Sequence, residues 1–242
     1  MKRWLAAVIF GLLMAGTAGA GGIPEGEAEP GAFFKDTVFV GDSILRSVGK
    51  YCAARREAGK SQLGEARFLA ADGYTLYSGS LLKPGSGRIN LVYAHRPVSV
   101  PEGIRAMGAK RAFVMLGIND GAGSQMEKHL GFYERMIRRI LEASPGLDLI
   151  ALSVTPVVKT AQTKRIRQMN IDLFNDALRA LCEKEGIGFL DVSGALKDEE
   201  GYLNRDFSSD RQVHLNERGI EALAAVLNEY ARERLGLREG AE

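Results

Sequence analysis

Five short apolar runs alternate with stretches of helical period, and this alternation constrains the fold more than any other feature of the chain. The runs fall at residues 37–40, 66–70, 111–116, 148–153 and 188–192. A helix is predicted over 43–58. Met126, Leu130, Tyr133, Ile137 and Ile140 repeat at spacings of four and three and predict a second helix. A third is predicted over 163–184, with Ile166, Met169, Leu173, Ala177 and Leu181 on its inner face. The last carries Ile220, Leu223, Leu227 and Tyr230. Strands that alternate with helices build a parallel sheet covered on both faces. Five of them in one domain predict a flavodoxin-like three-layer α/β/α sandwich with strand order 2-1-3-4-5. Right-handed crossovers then put the first and last helices on one face and the helices before strands three, four and five on the other.

That topology decides a question about cysteine. The chain has two, Cys52 and Cys182. Each follows an apolar residue by four, Val48 and Leu178, and so lies on an inner helix face. The two helices sit on opposite faces of the sheet, which predicts two free thiols rather than a disulfide.

The first twenty residues do not read as fold. Lys2 and Arg3 precede an apolar run from Trp4 to Ala15, and Ala18-Gly19-Ala20 fits a cleavage site. The run is short for a membrane span. Residues 1–20 therefore predict a signal peptide, with export to the periplasm or exterior, cleavage near Ala20 and no stable membrane anchor. Residues 21–34 are rich in Gly, Pro and Glu and predict a flexible lead-in, leaving 35–238 as one domain. Removal of Lys2 and Arg3 takes the formal net charge from +2 to zero. A neutral chain gives no reason to expect nucleic acid or an anionic membrane as partner. Arg135, Arg138 and Arg139 read as the wet face of a helix. Oligomeric state leaves no trace in the sequence.

In open α/β sheets, ligands bind at the carboxyl ends of the strands. The first strand ends at Gly41-Asp42-Ser43, which puts a hydroxyl at a helix N-terminus; a serine there is either an N-cap or a nucleophile beside oxyanion-stabilising N–H groups. Gly73 follows strand two. Asn119 and Asp120 follow strand three, and Thr155 and Pro156 follow strand four. A long polar loop after strand five leads to Asp210 and His214. Between Tyr74 and Pro101 lies an irregular insertion, read as a small hairpin (89–93 with 97–100) able to wall a pocket, and a short helix over 101–107 follows. Of three histidines, His95 falls in this insertion and His129 flanks an apolar helix stripe, partly exposed. Only His214 reaches the rim. Scattered histidines do not predict a metal site, and the first turn lacks G-x-G-x-x-G, so no cofactor is expected. Nucleophile, imidazole and donors at one rim are the parts of acyl transfer.

The sequence resembles the SGNH/GDSL hydrolases, a family of serine esterases and acylhydrolases, over nearly the whole chain after the leader. Val40-Gly41-Asp42-Ser43 is similar to the family's first block and implies Ser43 as nucleophile, its N–H also serving the oxyanion hole. Asp72-Gly73-Tyr74 is similar to the second block and implies the Gly73 N–H as a donor. Leu116-Gly117-Ile118-Asn119-Asp120 is similar to the third and implies the Asn119 amide as another. Val213-His214-Leu215-Asn216 is similar to the last and implies His214 as base. The family places its aspartate three residues before the histidine; here Asp210 precedes His214 by four. The extra residue has to be absorbed in a bulge or turn for Asp210 to reach; otherwise a backbone carbonyl orients a Ser–His dyad, or Asp206 substitutes. The resemblance implies a serine esterase acting on acyl esters, acetyl among them, of carbohydrates or small molecules, and the leader adds export. An O-acyltransferase on the same site and a non-catalytic glycan-binding module are the alternatives.

Overall fold

The computed structural model describes residues 30–237, apart from 82, 84, 86 and 87. The predicted signal peptide and most of the predicted lead-in lie outside them. The last part of that lead-in is folded: α1 (Pro30–Phe33) is a helical turn, and Phe33 and Phe34 are both buried. They pack there because they are aromatic. Phe34 meets Phe39 and Phe113, and Phe33 meets Tyr230 edge-on.

The main sheet has five parallel strands, β1 (Thr37–Gly41), β2 (Arg67–Ala70), β5 (Arg111–Met115), β6 (Asp148–Leu152) and β7 (Gly188–Leu190), in the order β2-β1-β5-β6-β7. This is the 2-1-3-4-5 order read from the sequence. A separate antiparallel hairpin, β3 (Leu91–Tyr93) and β4 (Arg96–Val98), forms within the insertion. Its two-residue turn has positive φ at both Ala94 and His95, the twist that matches paired strands.

Helices α2 (Ser43–Glu57) and α7 (Glu217–Leu235) share one face and are joined by a 2.6 Å hydrogen bond from the Tyr51 hydroxyl to Glu221. On the other face lie α4 (Val100–Ala106), α5 (Met126–Ala143) and α6 (Gln168–Glu185), the last two linked by Arg138 and Glu185. The short α3 (Leu76–Gly79) follows the β2 exit loop. Under α2 and α7 the register puts Phe68, Phe39 and Phe113 side by side on adjacent strands, with centroids 5.1 and 4.8 Å apart and nearly parallel planes. Cys52 and Cys182 are both free and buried, one on α2 and one on α6.

Two sequence expectations change. Helix α6 begins at Gln168 rather than near 163, and its buried side carries Ile171, Phe174, Leu178 and Cys182. Met169 and Leu173, expected inside, are 65% and 53% exposed. The reason is that Gln168 and Asn175 face inward. Asn175 exchanges hydrogen bonds with both backbone groups of Val154, and Gln168 accepts from the Val157 N–H. These side chains satisfy the backbone where β6 ends, so the helix turns its polar positions in and an apolar pair out. His129, expected to be partly exposed, is 4% exposed.

Candidate active site

Strand register sets the site. Gly41 pairs with Ala70 on one side and Met115 on the other, so the exits of β1, β2 and β5 are level. Gly41 must be a glycine: a Cβ there would lie 2.6 Å from a Leu45 methyl and 2.8 Å from the Met115 carbonyl.

The junction after Gly41 resolves the choice between cap and free hydroxyl. Asp42 is the N-cap of α2, in extended conformation, and its Oδ1 accepts the Ile44 N–H at 2.9 Å. Ser43 is the first helical residue, so its hydroxyl is not spent on capping. Ser43 Oγ lies 2.9 Å from His214 Nε2. His214 Nδ1 in turn lies 2.5 Å from Asp210 Oδ2. The displaced aspartate does reach. The additional residue is taken up at Arg211, which adopts a left-handed φ of 59°. The resulting turn lets Asp210 Oδ1 accept the backbone N–H groups of Gln212, Val213 and His214 at 2.7, 3.1 and 3.2 Å. Burial alone would raise the Asp210 pKa. The hydrogen bonds from the His214 ring and from these backbone groups outweigh it and hold the carboxyl below its ordinary range. The Asp206 carboxylate pairs with Arg218 instead of the imidazole.

Gly73 stands in the β2 exit turn at φ +71°, and a Cβ would meet Ile89 at 2.9 Å. The turn is held to α2 by the ion pair between Arg46 and Asp72. Asn119 sits in a single 3-10 turn, Ile118–Asp120, after β5. Its Nδ2 donates to the Tyr74 carbonyl at 3.1 Å and to Asp42 Oδ2 at 3.4 Å. One amide thus ties three strand exits together. Asp120 accepts the Leu76 N–H at 2.8 Å and fixes α3 beside the site.

Sequence reasoning passed over Asp42 as a site residue. It is almost fully buried, and burial lifts its carboxyl to about 7 against a 2.9 Å hydrogen bond from Ile44 and the attraction of His214. The available signal was that aspartate, like serine, is a strong cap. His95 is exposed in the hairpin turn and His129 is buried beside Asp120, so His214 alone meets Ser43. Among the described residues, no three His, Cys, Asp or Glu side chains converge as metal ligands, and no helix is long and apolar enough to cross a membrane.

Fold and site together define a doubly wound α/β protein with a serine–histidine–aspartate chain at the carboxyl rim of its sheet. The chain belongs to the GDSL-like lipase/acylhydrolase family, whose sequence model matches residues 39–222. No curated protein matches it. Among solved structures, a GDSL-like lipase from Bacteroides thetaiotaomicron superposes with a TM-score of 0.60 at 16% identity, over 83% of this chain and 90% of that one. A proposed platelet activating factor from Streptococcus pneumonia gives 0.59 at 21% identity over 86% of each chain. An acetyl xylan esterase gives 0.57 at 15% identity, over 80% of this chain and 98% of that one. At these identities the likeness is one of fold.

Proposed function

We propose that the protein is an exported serine esterase that removes acyl groups through an acyl-enzyme on Ser43. The observation that carries this reading is the unbroken chain of contacts at 2.9 and 2.5 Å from Ser43 Oγ through the His214 ring to Asp210. His214 Nε2 takes the Ser43 proton as Oγ attacks the ester carbonyl. Asp210 holds Nδ1–H and with it the tautomer that leaves Nε2 free to accept. The tetrahedral oxyanion is met by the N–H groups of Ser43 and Gly73 and by the Asn119 amide, whose longer bond, to Asp42, is the one it gives up. The alcohol departs with the proton from His214. Water then attacks the acyl carbonyl as it gives a proton to Nε2, and His214 returns that proton to Ser43 Oγ as the acyl–Oγ bond breaks and the acid leaves. Export rests on the Lys2-Arg3 leader and its small-residue cleavage site, with residues 35–238 as the working domain. The fold shared with an acetyl xylan esterase makes acetylated sugars the first substrates to screen.

The test is covalent labelling by a fluorophosphonate probe, read beside hydrolysis of a short activated acyl ester. Wild type should label and turn over. Ser43→Ala should lose both and His214→Ala should lose turnover. Labelling of Ser43→Ala at the wild-type level removes Ser43 from the reaction.

A further inference from the structure

A second concavity opens beside the candidate site, on the outer edge of the sheet. It is a groove of about 490 Å³ between α2, the edge strand β2 and the hairpin, and Tyr93 of β3 forms part of its wall. Three arginines line it: Arg46, Arg56 and Arg67. Arg46 stands one turn after Ser43 on α2 and Arg56 in the last turn of the same helix, so the groove starts near the rim and runs for about 15 Å at the helical rise.

Two of the guanidinium groups, those of Arg56 and Arg67, are placed but not neutralised. Arg56 Nη1 donates to the carbonyls of Gly64 and Ala66 at 3.1 and 3.2 Å, and Arg67 Nη1 donates to the Met107 carbonyl. Neither has a carboxylate partner among the described residues, and each retains its other nitrogens. Arg46 is paired with Asp72, but both side chains are about half exposed, so an incoming carboxylate can compete with Asp72 for the fork. Between the charges lie apolar surfaces from Phe68, Tyr93 and Met107. The formal net charge of the whole chain is only +2, so the positive field here is local.

A planar guanidinium matches a carboxylate bidentately, and aromatic faces suit the C–H faces of sugar rings. The groove is concave, which fits an extended strand better than a bilayer. We propose that the groove holds the non-reacting part of the substrate, and that this part is a carboxylate-bearing polysaccharide strand with its acyl ester presented at Ser43. The proposal rests on the esterase reading for what happens at Ser43, but binding in the groove does not need turnover.

The test uses the full chain carrying Ser43→Ala and titrates it calorimetrically with a short oligogalacturonate, a neutral dextran oligomer of equal length, a dextran sulfate oligomer, inorganic phosphate and anionic phospholipid vesicles. Only the oligogalacturonate should bind well, and its affinity should fall as sodium chloride rises, because the charges are exposed to screening. Arg46→Gln and Arg67→Gln should each weaken it by about tenfold, the worth of one charge-assisted hydrogen bond. Arg135→Gln on α5 should change nothing. In the active chain, Arg67→Gln should raise KM for acetylated polygalacturonate more than it raises KM for p-nitrophenyl acetate. Should Arg67→Gln fail to fold, Arg46→Gln, at an exposed pair, still decides. Equal binding of the dextran, stronger binding of dextran sulfate, phosphate or vesicles, or wild-type affinity in folded arginine variants would each overturn the proposal. Oligogalacturonate binding together with no fluorophosphonate labelling of the wild-type chain would sink the esterase reading and leave the groove standing.

Discussion

Asp210 reaches His214 across one residue more than the family spacing because Arg211 turns left-handed, and the turn is then secured by three backbone N–H groups on one carboxylate oxygen. Asp210→Asn keeps that oxygen and should keep the turn. It loses the carboxylate that fixes the imidazole, so kcat for an activated ester should fall by about 10²- to 10⁴-fold with KM little changed. An unaltered kcat would mean a Ser–His dyad. Asn119→Ala should cost on the order of 10²-fold in kcat if its amide meets the oxyanion. Asp42 makes a different prediction. Its ordinary pKa is 3.8 and burial lifts it to about 7 in the fold. Between those values the folded chain holds the proton more tightly than the unfolded chain. Its contribution therefore favours folding at low pH, is lost as pH rises from about 4 to 7, and is level above. Asp42→Asn removes that dependence. Urea midpoints should move in the variant's favour, relative to wild type, on going from pH 4 to pH 8; a constant difference would show that Asp42 titrates normally. The sequence carried Ser43, Gly73, Asn119 and His214 because each sits in a local block. Asp42 was not legible because Asp and Ser are adjacent and equally good caps, and only the backbone angles decide which one caps. The Arg211 turn was foreseeable as a need and not as a conformation.

At the scale of elements, strands β1 and β5 were readable because, after Thr37 and Arg111 at their starts, they are apolar and buried on both faces. Helix α6 was readable as a helix and misread in its orientation. A periodicity count treats Gln168 and Asn175 as outward, yet the exit of β6 needs their amides, and the demand comes from a different segment. Helix α2 shows a similar nonlocal demand in its glycine. A Cβ at Gly49 would lie 2.8 Å from the Phe68 ring, which is itself stacked on Phe39. In α5, a Cβ at Gly131 would meet nothing nearer than the Arg135 guanidinium at 3.7 Å. Both are helical glycines, for which alanine is worth about 0.5–1 kcal/mol. Gly131→Ala should therefore raise the melting temperature. In Gly49→Ala the gain is opposed by overpacking of about 1–3 kcal/mol, so the melting temperature should fall. Equal stabilisation by both would mean that α2 does not lie close on the aromatic row.

The molecule as a whole was the most legible level, since the alternation of elements and the handedness of crossovers leave few topologies. The cysteines report on that level. One faces the sheet from α2 and the other from α6, with the sheet between them. A disulfide needs Cα atoms within about 7 Å, which two helices on opposite faces of a sheet cannot provide. Under the proposed export the chain meets an oxidising environment, where any pair able to bond would do so. Burial raises the Cys52 thiol to about 11 and the Cys182 thiol to about 12, so at neutral pH almost no thiolate is present to begin exchange. Protein purified without reductant should react slowly or not at all with a thiol reagent when native. Once unfolded in guanidinium, it should titrate two thiols per chain. None after denaturation would require a disulfide, and since Cys52 and Cys182 are the only cysteines, it would require either a different arrangement of α2 and α6 or a bond between chains. A non-reducing gel separates those two outcomes, because only the second doubles the mass.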